Sequence, residues 1–120
     1  MTASGPGFIS LQVRDVAASA AFYERHLGFV RQPGPPNAVV FGTAPAAFAV
    51  RTPLPGVDLD AGPLGRGVGI WLHAADAAAI HEALVADDVT IAAAPAESPF
   101  GLTFTFVDPD GYAITLHDRA

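Results

Sequence analysis

One order of elements is written twice in this chain, and it constrains the fold more than any other feature. "FISLQVR" alternates, with Ile9, Leu11 and Val13 on one face and Phe8, Ser10, Gln12 and Arg14 on the other, which is the period of a strand. "DVAASAAFYERHLGF" follows at helical spacing, with Val16, Ala20, Tyr23 and Leu27 in one stripe, Asp15 placed to cap the start and Gly28 to end it. Three short strand-like segments, "FVRQ", "NAVVFGT" and "AAFAVR", come next, divided by "PGPP" and "TAPA". This first β-α-β-β-β module covers about residues 7–52.

A Pro/Gly-rich stretch, residues 53–66, separates the halves as a linker or loop. The order then returns over about residues 67–118. "GVGIWLHA" sets Val68, Ile70 and Leu72 against Gly69, Trp71 and His73, and "DAAAIHEALVADD" is a helical run with Asp76 near its start. "VTIAA", "LTFTFV" and "YAITLH" supply three more strands, the last two joined by the turn "DPDG", where Pro109 presets φ and Gly111 accepts a positive one. The fold class expected is α+β, one domain of two such modules.

A chain of 120 residues, 51% of them hydrophobic, has material for one core and not for two independent domains. The net charge is −6, with six arginines scattered and no lysine, so no basic stripe exists to follow phosphates and nucleic acid is not an expected partner. Schiff-base chemistry has no lysine, and thiol chemistry, iron–sulfur clusters and disulfides have no cysteine. "MTASGPGF" does not read as a signal peptide and no apolar run approaches spanning length, so a cytoplasmic protein without membrane contact is expected.

In each half the aliphatic face of the first strand suits packing on that half's helix. The opposite faces carry Phe8, Ser10 and Gln12; Ala47, Ala49 and Arg51; Gly69, Trp71 and His73; and Ala113, Thr115 and His117. Small, aromatic and hydrogen-bonding side chains together fit a ligand cavity better than a dry core. Asp108 and Asp110 belong to the turn, Ser10 and Ser98 lie in no nucleophile elbow, and "GPLGRGVG" lacks the Gly-Lys-Ser/Thr ending of a phosphate loop. No catalytic residue is assigned.

The repeated order, together with "LQVRDVAASAAFYERHLGF", "IWLHAADAAAIHEAL" and "FVDPDGYAITL", resembles the vicinal oxygen chelate superfamily of glyoxalases, extradiol dioxygenases and bleomycin-resistance proteins over nearly the whole chain. The resemblance implies curled mixed sheets enclosing a cavity, usually in a homodimer. It also implies, in the enzymes, a divalent metal held by His or Glu at four matched positions. Those positions fall here on Phe8, Ala49, Gly69 and Thr115, none of them a residue of the usual donor set. No metal and no cofactor are therefore expected, and the chain resembles the metal-free antibiotic-binding branch more than the glyoxalases.

On that footing the expected function is sequestration of a bulky, partly aromatic natural product, bleomycin-, mitomycin- or enediyne-like, conferring resistance. The expected ligand-binding residues are Phe8, Gln12, Arg51, Trp71, His73, Phe100, Phe104, Thr115 and His117. Trp71 is the foremost, since an indole stacked on a planar ligand gains about 0.5–1.5 kcal/mol beyond area burial. The alternatives are a metal-dependent lyase, isomerase or dioxygenase with ligands shifted to His73 and His117, and a small-molecule sensor or accessory subunit. His26 and His81 are expected to be solvated positions on the helices.

Overall fold

A computed structural model describes residues 1–119, which form two compact units, one of Met1–Ala61 and one that begins at Gly62. In the first, strand β1 (Phe8–Gln12) leads into helix α1 (Val16–Leu27), followed by β2 (Arg31–Gln32), β3 (Ala38–Phe41) and β4 (Ala47–Arg51). The sheet order is β1-β4-β3-β2, with β1 parallel to β4 and the other pairs antiparallel. Asp15 caps α1 by accepting from the N–H of Ala18, and Gly28 closes it in the left-handed region at φ 69°.

The helix-facing side of this sheet is aromatic. Tyr23 of α1 lies 5.1 Å, ring centre to centre, from Phe48, and Phe29 stands 5.6 Å from both Phe41 and Phe48. Tyr23, Phe41, Phe48, Val13 and Val50 are buried. The alternation of β1 and β4 therefore does what it was expected to do, turning the large apolar residues to α1 and Phe8, Ser10, Gln12, Ala47, Ala49 and Arg51 to the other face. The chain after β4 returns to its own unit: Gln12 Oε1 accepts from the Leu54 N–H at 2.8 Å, Arg14 pairs with Asp60 at 2.7 Å, and Leu59 is buried.

The second unit repeats the plan with β5 (Ile70–His73), α2 (Ala77–Ala86), β6 (Ile91–Ser98), β7 (Gly101–Val107) and β8 (Ala113–His117), in the order β5-β8-β7-β6 with β5 parallel to β8. Leu84 of α2 and Phe104, Phe106, Ile114 and Leu116 of the sheet make its core. Two expectations are corrected here. β5 begins at Ile70, because a turn with Gly65 and Gly67 at positive φ precedes it, and Val68 is 70% exposed instead of facing the helix. The second strand of this module is longer than "VTIAA" and runs on to Ser98, with register shifts that reset its facing. Asp76 stands at the start of α2 without a capping side-chain hydrogen bond.

The "DPDG" turn is built on one carboxyl. Asp108 is buried, and its Oδ1 accepts from the N–H groups of Asp110, Gly111 and Tyr112 at 2.9, 3.0 and 2.9 Å. That arrangement fixes the register of β7 on β8 and gives Asp108 a structural task.

Candidate functional site

The face of the second sheet turned away from α2 collects the chemistry. Trp71 and Thr115 are register partners across the parallel β5–β8 pair, as are His73 and His117. Thr105 is the partner of Thr115 across β7–β8, and their hydroxyl oxygens are 2.7 Å apart. Trp71 is 51% exposed, a large apolar area for a strand residue.

Phe100 joins it from the β6–β7 turn. Its ring stands edge-on to Trp71 at 5.7 Å and to His117 at 6.4 Å, while His117 lies 6.1 Å from Trp71 and 5.5 Å from His73. The turn carrying Phe100 is braced on both sides. Ser98 Oγ donates to the Gly101 carbonyl and accepts from the Phe100 N–H, and the Phe100 carbonyl accepts from the Arg119 N–H. Asp118 Oδ1 accepts from the Leu102 N–H at 2.8 Å. Gly101, at φ 84°, sits so close to the Asp118 carboxyl and the Arg119 backbone that a Cβ there has no room. An exposed aromatic is thus held in place by backbone bonds, which lowers the ordering cost of binding against it.

Of the expected site residues, Trp71, His73, Phe100, Thr115 and His117 come together on this one face. Phe104 does not. It is 1% exposed, faces α2 and packs edge-on against His81 at 5.0 Å, so it belongs to the core; the F–T alternation of β7 turns Thr103 and Thr105, not the phenylalanines, to the open side. His81 is accordingly half-buried on Phe104, and His26 lies 4.7 Å from the Phe22 ring. On the first unit, Phe8 is 57% exposed, Gln12 holds Leu54, and Arg51 donates from Nε to the Thr52 carbonyl. Thr105 was missed by sequence reasoning, although it is found by counting outward from the turn along both strands.

The metal of the enzyme branch does not fit these residues. Phe8, Ala49, Gly69 and Thr115, at the positions to which the resemblance carries the metal ligands, supply one neutral hydroxyl, and that hydroxyl is hydrogen-bonded to Thr105. Among the described residues no group of three or more His, Cys, Asp or Glu comes together that could hold an ion. His73 and His117 are a pair without a third ligand.

Two mixed four-stranded sheets, each with one helix in a repeated β-α-β-β-β order, define a paired-module α+β protein. Residues 5–116 match the model of the Glyoxalase/Bleomycin resistance protein/Dioxygenase superfamily, and the chain belongs to that superfamily. Among solved structures it is similar to TnmS3, an antibiotic binding protein from Streptomyces sp. CB03234, at 25% identity and a TM-score of 0.75, over 100% of this chain and 99% of that one. It is also similar to a glyoxalase/bleomycin resistance protein from the same Streptomyces, at 25% identity and a TM-score of 0.72, over 94% and 99% of the two chains. FosX, a fosfomycin resistance protein from Listeria monocytogenes solved with Mn(II), shares the fold at 16% identity and a TM-score of 0.74, over 99% and 93%. No curated protein matches the chain.

Proposed function

We propose that this protein binds a planar, partly aromatic natural product on the open face of its second sheet, without a metal and without changing it, and so withholds the compound from its target. The observation that carries the reading is the braced, half-exposed Trp71–Phe100 pair beside His117 and Thr115. Aromatic side chains fixed in this way offer large contact area at small entropic cost. The absence of donor side chains at the positions to which the resemblance carries the metal ligands supports binding over catalysis, and the likeness to an antibiotic binding protein supports the ligand class. A homodimer in the cytoplasm belongs to the same proposal, and light scattering on the purified protein tests the dimer.

A second reading is favoured by one observation, the His73 and His117 rings 5.5 Å apart: a lyase, isomerase or dioxygenase using a displaced metal. The two are separated by incubating chelator-treated protein with bleomycin, mitomycin and enediyne compounds and recovering each by mass. Sequestration predicts retention on the protein at unchanged mass. Conversion that stops with chelator and returns with a divalent ion would establish the enzyme.

A further inference from the structure

The polar groups beside Trp71 fix which atoms a ligand must bring. Two threonine hydroxyls hold two hydrogens, and the Thr105–Thr115 bond uses one of them. Whichever hydroxyl donates, the other keeps its hydrogen, and among the described residues no further group takes it. The pair therefore offers one O–H donor. At His117, Nδ1 lies 2.9 Å from the Arg119 carbonyl oxygen, which can only accept. Nδ1 therefore carries the proton, and Nε2 of the neutral ring is an acceptor. Thr115 and His117 are two residues apart on one face of β8, about 7 Å along a strand.

We propose that the ligand is a planar aromatic compound bearing both a carbonyl oxygen and a hydroxyl group, the carbonyl accepting from the threonine pair and the hydroxyl donating to His117 Nε2. The inference rests on the binding reading above and narrows its ligand class. It also gives Thr105 a role in specificity, as the residue that leaves the pair's second hydrogen free. A carboxylate or phosphate would meet one neutral O–H at the pair in place of the cation that such groups bind.

Four probes of one ring system test it: fluorene, 9-fluorenone, 2-hydroxyfluorene and 2-hydroxy-9-fluorenone, measured by equilibrium dialysis. The wild-type protein should gain about fivefold in affinity for each added group, the usual worth of a neutral hydrogen bond. The double variant Thr105→Val/Thr115→Val, which keeps the shape of both side chains, should lose the gain from the carbonyl and keep the gain from the hydroxyl. His117→Phe should do the reverse. Equal wild-type affinity for all four probes, or an equal loss across all four in the double variant, would overturn the proposal and leave the aromatic-binding reading standing. Failure of every probe to bind, fluorene included, would overturn both.

Discussion

The indole of Trp71 lies against Gly69: a Cβ at position 69 would stand 3.4 Å from its Nε1 and 3.6 Å from its Cδ1. Gly69 is where the superfamily resemblance puts a metal-binding histidine, so the tryptophan borders the space such a side chain would use. Gly69→Ala places a methyl at ordinary contact distance and should leave the site unchanged. Gly69→His needs room beyond Cβ and must turn the indole away. The expected result is a red shift of tryptophan emission and weaker drug binding, with no divalent ion retained after dialysis, read by fluorescence and elemental analysis.

Phe100 depends on Gly101. Gly101→Ala forces a Cβ into the Asp118 carboxyl at a backbone φ of 84°, where L residues are strained. The β6–β7 turn should loosen from residues 118–119. The variant should melt lower than wild type and bind aromatic ligands several-fold more weakly even well below its melting temperature. Calorimetry and titration on the same preparation check both.

Asp108 supplies the contrasting case, a buried carboxyl with a structural task. Asp108→Ala removes the side-chain acceptor shared by three N–H groups of the 108–112 turn, of which Gly111 keeps the Asp108 carbonyl as a second acceptor. A cost of about 1–3 kcal/mol in unfolding free energy is expected, since the Tyr112 N–H is buried and a buried donor deprived of its partner loses its full solvation. Ligand affinity at low temperature should be unaffected. Denaturant unfolding and a binding titration, compared directly, separate the two effects.

Glu24 and Arg31 form an exposed pair on the first unit, with Arg31 Nη2 2.9 Å from Glu24 Oε1. The hydrogen bond from Arg31, aided by its charge, holds the Glu24 carboxyl below the ordinary range, and the same bond raises Arg31. A carboxyl depressed in the folded state stabilises above its unfolded pKa and loses that contribution as pH falls through the folded value. Glu24→Gln should therefore be slightly less stable than wild type at neutral pH. The gap should close below about pH 4, and also in high salt, because the pair is exposed. Melting curves across pH show whether it does.

Most of what positions the site was legible in strand alternation. The parity of β1, β5 and β8 put Phe8, Gln12, Trp71, His73, Thr115 and His117 opposite the helices, and the structure keeps them there. Phe104 was misread because a phenylalanine in an F–T alternation can serve either face until its partner strand is fixed. The Asp108 turn fixes it: pairing Val107 with Ala113 sets Phe104 against Leu116 in the core and Thr105 against Thr115. The facing of β6 was not legible, since three alanines give no alternation to read, and Pro95, which falls inside the second of the register shifts between Ile91 and Ala96, marks an irregularity without fixing the register. Phe100 was found only as a loop aromatic, because its bracing comes from residues 118–119 of the far strand end.

Trp71 is the sole tryptophan, so its fluorescence reports on the proposed site alone. The most direct test of the account is a titration of chelator-treated wild type and Trp71→Phe/Phe100→Ala with planar antitumour antibiotics, following emission in the first and equilibrium dialysis in both. The account predicts saturable quenching of the wild type by at least one compound recovered at unchanged mass, and affinity at least tenfold weaker in the variant at unchanged fold. Equal affinity of the two proteins, or no saturable response to any compound, would contradict it.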